Sequence, residues 1–140
     1  MNTGLETFWE AISSEQEMAL ATSAGGRVTM RTVSPVLYEN SILIFTASDS
    51  VKYYQLKENP NCCVKVGAFY AEAAAEFPGP TMLDKNAALR AAYEIKFNRA
   101  FDPDIEYGGY RADFILLRPR LVKGWIVGEN DEGTPFEFKL

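Results

Sequence analysis

Apolar residues recur at helical spacing near the start of the chain, at Leu5, Phe8, Trp9 and Ile12. Acidic residues occupy the intervening positions, so the segment is amphipathic. This spacing places one apolar stripe along a helix that packs on a core. The pattern therefore predicts a first helix over about residues 3–13.

The next segment of the chain has the alternating pattern of strands rather than helical spacing. The apolar residues of 18–22 predict a strand, and Gly25 and Gly26 supply the positive φ angles of a tight hairpin. The chain then returns as a second strand over 27–33. Because side chains alternate along a strand, this strand has two predicted faces. One face carries Arg27, Thr29, Arg31 and Val33, and the other carries Val28, Met30 and Thr32.

The middle of the chain alternates short strands with a helix. The apolar run 42–45 predicts a buried strand that ends at Thr46. A short helix is predicted over 50–57, with Val51 and Tyr54 facing inward and Leu56 as a third candidate, and Pro60 follows its end. A further strand is predicted over 62–70. The alanine-rich run 71–77 has helix propensity, but its position directly after a strand favours another strand.

The last third contains one long helix and further strands. We predict a helix over 84–100, capped by Asp84, with Tyr93 and Ile95 among the residues available for burial. Strands are predicted over 112–117 and 121–127, interrupted at Pro119. Phe136 and Phe138 alternate near the end of the chain, as in another strand.

Six or seven strands joined mostly by short connections predict an antiparallel sheet. Closing that sheet into a small barrel removes exposed edges, so the expected fold is an α+β β-barrel with flanking helices. A chain of 140 residues with 47% hydrophobic residues is expected to form one domain over 1–140.

Charge and histidine content narrow the functional classes. The net charge of −5 argues against binding to nucleic acid or to a membrane surface, which needs a broad basic face. The segment 27–57 has four basic and two acidic residues, a local excess of +2, which favours a small anionic ligand. Solvated charges at strand edges are the alternative. The chain has no histidine, which removes the commonest metal ligand and acid–base group, and no metal site is expected.

The cysteines and the first residues of the chain indicate where in the cell the protein is expected. Cys62 and Cys63 are adjacent, so on a strand they point to opposite faces and do not readily bridge. Buried thiols in a reducing compartment are expected, with a redox pair as the remote alternative. Neither a signal peptide nor a run of about 18 apolar residues is present, so a cytoplasmic location is expected.

Two separated motifs bring together phosphate-binding chemistry. Arg31 lies near the end of the second strand, while Thr46 ends the buried strand and Ser50 and Lys52 open the short helix. Charge-assisted hydrogen bonds to phosphate are strong and directional, and the start of a helix also favours an anion. A phosphate site is thus one interpretation of these residues. Simple helix capping by Thr46 and Ser50 is the other.

The order and spacing of these motifs resemble the pyridoxamine 5′-phosphate oxidase-like family of FMN-binding split β-barrels. The matching segments are Arg31-Thr32-Val33-Ser34, Phe45-Thr46, Ser50-Val51-Lys52 and Asn59-Pro60. The likeness covers 18–61 well and the remainder loosely. It implies a mostly antiparallel split barrel, FMN as cofactor and a homodimer with the flavin at the subunit interface.

The resemblance also implies which residues bind the cofactor. Arg31 and Lys52 neutralise the FMN phosphate with help from Ser50 and Thr46, and the backbone near Val33 and Ser34 borders the ring system. Trp125 covers the flavin from the partner subunit in one interpretation and packs in the core or the interface in the other. The expected cofactor-binding residues are Arg31, Thr32, Val33, Ser34, Phe45, Thr46, Ser50, Lys52 and Trp125. No catalytic residue is identified.

The chain departs from the oxidases of this family at two points. Val51 stands where they often carry a second basic residue. Neither arginine nor histidine follows Trp125, where those enzymes bind the substrate phosphate. The sequence therefore predicts an FMN-binding protein of oxidoreductase type that lacks pyridoxamine 5′-phosphate oxidase activity and uses a small-molecule electron donor or acceptor.

Two other functional interpretations remain open at the level of sequence. One is a non-catalytic flavin-binding sensor, carrier or interaction module. The other is a barrel that binds a deazaflavin or another phosphorylated ligand. The loop with Tyr107, Tyr110 and Arg111 around Gly108-Gly109 either shapes a substrate pocket or is an ordinary polar loop.

Overall fold

The structure is a computed structural model that describes residues 3–127 and 133–140. Its helices are α1 (Thr3–Ser14), α2 (Val51–Glu58) and α3 (Ala87–Lys96), the last preceded by a 3₁₀ turn at Asp84–Asn86. Its strands are β1 (Met18–Ala24), β2 (Arg27–Val33), β3 (Val36–Tyr38), β4 (Ser41–Thr46), β5 (Asn61–Val66), β6 (Phe69–Pro80), β7 (Asp113–Val127) and β8 (Gly133–Lys139). None of the described helices is both long and apolar enough to cross a membrane.

The strands form one sheet in the order β2-β1-β5-β6-β7-β4-β3, with β8 added to β7. Every described strand pair is antiparallel. Side chains from β1, β5, β7 and β4 meet in one core, including Leu20, Val64, Leu117 and Ile44. A flat sheet cannot bring side chains from strands so far apart into contact, so the sheet curves into a barrel around this core. The predicted α+β antiparallel barrel is confirmed.

The start of the chain follows its hydrophobic pattern. The predicted first helix is α1, which buries Phe8 and Ile12. Gly25 and Gly26 have φ angles of 58° and 79°, so the predicted hairpin turn is confirmed. In β2 the two faces also separate as predicted, because Val28 and Met30 are 71% and 74% exposed on the outer face.

Four predicted elements need correction. The strand predicted over 62–70 is two strands, because the chain reverses at Gly67, whose φ is 55°. The helix predicted over 84–100 is shorter, since it begins with the 3₁₀ turn and ends at Lys96, and Ile95 is 88% exposed. The predicted break at Pro119 is a register shift opposite Ala73 within a single strand, β7.

The fourth correction concerns the buried face of α2. Val51 and Tyr54 are mostly exposed, whereas Gln55 and Leu56 are buried. The helix therefore packs on the core through Leu56, the third predicted candidate, and through the polar Gln55, which a hydrophobic pattern cannot predict. The alanine-rich run 71–77 is part of β6, as its position after a strand predicted.

Lys96 fastens three segments at one end of the barrel. Its ammonium group donates hydrogen bonds to the carbonyl oxygens of Ile12 (2.9 Å), Glu15 (2.5 Å) and Pro35 (2.7 Å). The first two lie at the end of α1, where helix carbonyls lack intrahelical partners. Lys96 therefore joins α3 to α1 and to the link between β2 and β3.

We predict that Lys96→Met lowers the free energy of unfolding by about 1.5–3 kcal/mol, the range for hydrogen bonds to charged groups. Lys85→Met is the matched control, because Lys85 is exposed and its loss should change stability by less than about 0.5 kcal/mol. Urea denaturation measures both. Equal stability of the two variants would contradict the fastening role.

Candidate functional site

Two hydroxyl groups meet where β4 ends and α2 begins. Thr46 is buried at the last position of β4, and its Oγ1 lies 2.8 Å from Oγ of Ser50. Ser50 also caps α2, because its Oγ accepts a hydrogen bond from the backbone N–H of Tyr53 at 3.2 Å. The capping interpretation of Ser50 is therefore correct. Capping uses the oxygen as an acceptor, so the hydroxyl proton is still available for Thr46 or for a ligand.

Arg31, on β2, is held by neutral acceptors. Its Nη1 donates to the Thr22 hydroxyl at 2.7 Å and to the carbonyl oxygen of Leu20 at 3.2 Å, and its Nη2 donates to the Thr29 hydroxyl. The two threonine hydroxyls donate in turn to Oε1 of Gln55, at 2.5 Å and 2.6 Å. This network orients the guanidinium without neutralising it, and a guanidinium has five N–H donors, so it keeps capacity for a ligand.

Lys52 lies in the first turn of α2 and is half-buried. Burial lowers its pKa, and the positive charge of Arg31 lowers the pKa further. Burial also lowers the pKa of Arg31, although a guanidinium stays protonated in proteins. The described residues form salt bridges at Arg99–Asp102 and Arg118–Glu76, so neither Arg31 nor Lys52 is paired with a carboxylate there.

Two neighbouring cations without a described carboxylate partner repel one another, and an anion between them would remove that repulsion. Thr46 and Ser50 add hydroxyl donors on the same side. A phosphate carries up to two charges and several strong acceptors, which matches this donor set. Of the four residues predicted to bind a phosphate, Thr46, Ser50 and Lys52 lie at the β4–α2 junction, and Arg31 on β2 acts electrostatically on Lys52.

An open cavity of about 400 Å³ adjoins the corner. Its lining includes Thr46, Ser50 and Lys52, together with Tyr107 and Arg111 from the loop between α3 and β7. The loop that the sequence marked as a possible pocket wall does line this cavity.

Gly109 holds that loop in place. It is buried, its N–H donates to the carbonyl of Ala100 at 2.6 Å, and its own carbonyl accepts from the hydroxyl of Thr81. A Cβ atom at this position would lie 2.7 Å from the ring of Phe101 and 3.0 Å from that of Phe45. Only a glycine therefore lets the loop approach the aromatic residues this closely.

The remaining predicted site residues lie around this corner or away from it. Val33 is in the core, and the carbonyl of Ser34 accepts a hydrogen bond from the Tyr93 hydroxyl at 2.9 Å. Thr32 is exposed on the outer face of β2, opposite the face of Arg31. Phe45 packs against Tyr93 and lines the cavity.

Trp125 is not part of this corner within one chain. It lies on β7 opposite Pro135, whereas the Thr46 end of β4 pairs with Asp113 at the start of β7. Trp125 is 56% exposed and lines a different cavity with Tyr70 and Phe136. A role for Trp125 beside Thr46 and Ser50 would therefore need a second copy of the chain.

Comparison with solved structures adds the fold family. A heme binding protein from Mycobacterium smegmatis aligns with a TM-score of 0.75 and 19% identity, over 99% of this chain and 59% of that one. A FAD-binding protein from Mesorhizobium loti aligns with a TM-score of 0.69 and 14% identity, over 86% and 92%. A pyridoxamine 5′-phosphate oxidase-related, FMN-binding protein from Nostoc punctiforme aligns with a TM-score of 0.60 and 12% identity, over 100% and 99%.

This chain has the pyridoxamine 5′-phosphate oxidase-like split β-barrel fold. At these sequence identities the similarity establishes the fold alone. The ligand has to be inferred from the residues of the site. No family model matches the sequence, and no curated protein matches it. In the split barrel of this chain, Arg31 lies on β2, and Thr46, Ser50 and Lys52 lie at the junction of β4 and α2.

The sequence pattern did not identify the polar residues that orient Arg31, namely Thr22, Thr29 and Gln55. Thr22 and Gln55 are buried, at 1% and 7% exposure. A signal existed for the threonines, because Thr29 shares a strand face with Arg31 and Thr22 ends the apolar strand 18–22. No comparable signal marked Gln55, which lies in a short helix with a weak hydrophobic pattern.

Proposed function

We propose that this protein is an FMN-binding protein of oxidoreductase type, with the FMN phosphate held by Arg31, Lys52, Ser50 and Thr46. The observation that carries the proposal is the pair of cations, Arg31 and Lys52, without a carboxylate partner among the described residues. Solved neighbours of the same fold include proteins described as FMN-binding and FAD-binding. A bound flavin would supply redox chemistry at its ring, while the chain supplies position and electrostatics.

Different residues of the chain would bind the phosphate and the ring of the cofactor. The guanidinium of Arg31 is fixed by Thr22 and Thr29 and provides a rigid fork of donors, whereas Lys52 provides a point charge. Hydrogen bonds fix the backbone at the end of the segment Val33-Ser34. The Tyr93 hydroxyl donates to the carbonyl oxygen of Ser34, and the Lys96 ammonium donates to that of Pro35, the next residue. We propose that this fixed backbone borders the flavin ring.

Haem is the other cofactor named among the neighbours, and we do not propose it for this chain. The chain contains no histidine, the proximal ligand in globins and peroxidases. Cysteine thiolate can also bind haem iron, but burial raises the pKa of the Cys62 thiol to about 12, so this thiol stays protonated. The phosphate corner favours a flavin nucleotide instead. Free thiols at Cys62 and Cys63 also fit the reducing cytoplasm, which we propose as the location.

Whether the flavin turns over is decided by reduction of the FMN-loaded protein with NADH or NADPH under anaerobic conditions. Bleaching of the flavin absorbance within seconds and reoxidation by an added acceptor would establish oxidoreductase chemistry. Stable binding without reduction would instead identify a sensor, carrier or interaction module.

We predict that FMN binds more tightly than riboflavin, which lacks the phosphate. Arg31→Ala and Lys52→Ala should each cost about 1.5–3 kcal/mol of FMN binding, the range for hydrogen bonds to charged groups, and should leave riboflavin binding nearly unchanged. Calorimetric titration of both ligands measures this. Arg120→Ala is the matched control, since it removes an exposed arginine outside the described site. Equal affinities for FMN and riboflavin would contradict a phosphate site.

We predict that FMN affinity falls as the pH rises through the lowered pKa of Lys52. A bound phosphate favours the charged ammonium, so binding raises this pKa and takes up a proton. Affinity is therefore highest below the pKa of free Lys52 and is lost progressively above it. Titrations above pH ~7.5, where the phosphate is fully ionised, isolate this effect. Lys52→Arg stays charged and should flatten the profile; an unchanged profile would exclude Lys52 as its cause.

We predict a homodimer. Val28 and Met30 are exposed on the edge strand β2, and such an apolar edge is a ready surface for association. In this dimer we propose that Trp125 of one subunit covers the flavin of the other. Sedimentation should give twice the chain mass of 15.6 kDa. Met30→Lys should shift the protein toward monomer, whereas Ile95→Lys, at an exposed site on α3, should not. A flavin-loaded monomer would contradict the prediction.

We predict no meaningful oxidation of pyridoxamine 5′-phosphate, even with FMN bound. The substrate carries its own phosphate, which needs a second cationic site, and no arginine or histidine follows Trp125. An assay for pyridoxal 5′-phosphate should give only background signal. Turnover near ~1 per second, the low end for ordinary enzymes, would contradict this.

A further inference from the structure

The amide oxygen of Gln55, a buried residue of α2, accepts two hydrogen bonds from the sheet. The hydroxyl of Thr22 donates to its Oε1 at 2.5 Å, and the hydroxyl of Thr29 donates to the same atom at 2.6 Å. The two threonines are cross-strand partners on β1 and β2. Since a hydroxyl has one proton, both threonine protons are directed at one atom of the helix.

The orientation of the Gln55 amide is fixed at both of its ends. Its Nε2 donates to the carbonyl oxygen of Arg27 at 3.4 Å. The threonine oxygens accept from Arg31, which has only donors, so their own protons point to another acceptor. A reversed amide would turn N–H donors toward both threonines and remove the acceptor that these protons use. The amide therefore keeps its oxygen toward the sheet.

The same network determines which donors of Arg31 are left for a ligand. Nη1 uses both of its N–H groups, on Thr22 and on the carbonyl oxygen of Leu20, and Nη2 uses one on Thr29. Because the two hydroxyl oxygens lie 3.3 Å apart and bind different terminal nitrogens, they occupy the Nη1–Nη2 edge of the planar group. The Nε–H and the second N–H of Nη2 bind no residue that the structure describes. Two parallel donors on one edge fit two oxygens of a phosphate.

We propose that Gln55 is a positioning residue for the cofactor phosphate and acts through Thr22, Thr29 and Arg31. Its oxygen takes the hydroxyl protons, the hydroxyl oxygens hold one edge of the guanidinium, and the Nε–Nη2 edge is left for the phosphate. This rests on the proposed function, in which Arg31 binds that phosphate. Every acceptor in the network is neutral, so the guanidinium is held without loss of the charge that attracts the anion.

The test is calorimetric titration of FMN and riboflavin with the full chain and its variants. Thr29→Val keeps the shape of the side chain but removes the acceptor of Nη2. It should weaken FMN binding about fivefold, the range for one neutral hydrogen bond, and change riboflavin binding less than about twofold. Thr29→Ser restores the hydroxyl and should recover most of the FMN affinity.

Two substitutions test Gln55 itself. Gln55→Met removes both amide groups and should weaken FMN binding about tenfold with the same selectivity over riboflavin. Gln55→Glu keeps an oxygen for the threonines but adds a negative charge, which offsets the charge of Arg31, so it should also weaken FMN binding at least about threefold. Gln16→Met, at an exposed position before β1, is the matched control and should change neither ligand.

A double-mutant cycle tests whether the effect passes through Arg31. In the Arg31→Ala background, Thr29→Val should cause no further loss of FMN affinity, because no guanidinium remains to be oriented. A loss of the same size in both backgrounds would overturn the positioning role. Thr29 is only half-buried, so this cycle decides the question even if Gln55→Met does not fold.

The outcomes separate the positioning role from the phosphate site. If wild-type protein prefers FMN to riboflavin, and Thr29→Val or Gln55→Glu leaves that preference unchanged, the positioning role is wrong and the phosphate site stands. Equal weakening of both ligands in these variants leads to the same conclusion. If wild-type protein binds FMN and riboflavin equally, both proposals are overturned.

Discussion

Gln55 is the residue on which the geometry of the site depends. Helix α2 has a weak apolar face and exposes Val51 and Tyr54, so hydrophobic burial alone does not fix its position. Beside Leu56, which is buried in the core, the helix contacts β1 and β2 through the buried Gln55 amide, which accepts from Thr22 and Thr29. Because a buried amide without partners costs several kcal/mol, the helix is held in the one register that satisfies it.

That register has a direct electrostatic consequence. The threonines that satisfy Gln55 also accept from Arg31, so the same network that holds α2 also holds the guanidinium, whose charge lowers the pKa of Lys52 in the first turn of that helix. The repulsion between the two cations is a cost to the fold that no described salt bridge removes. A bound anion would offset this repulsion, and charged groups with perturbed pKa values cluster at functional sites.

The sequence predicted those parts of the molecule that depend on local chemistry. The Gly25-Gly26 turn, the two faces of β2 and the cation–hydroxyl motifs each follow from residue type and spacing. Long-range packing decided the rest. The reversal at Gly67 lies inside an apolar run without a strong turn signal, and Ile95 is exposed because α3 packs through Leu89 and Tyr93. The network of Gln55 joins residues on three elements, and a pattern along one element cannot reveal it.

The long strand β7 separates Trp125 from the other expected site residues within one chain. Its first residue, Asp113, pairs with Thr46 beside the phosphate corner, and Trp125 lies toward its other end. A strand rises about 3.3 Å per residue, so the two ends cannot meet within one barrel. Trp125 therefore serves its own end of the barrel unless a second copy of the chain brings it to the residues near Thr46. Val28 and Met30 are exposed on the face of β2 opposite Arg31, so a partner that packed on them would contact the outer side of the strand that carries Arg31.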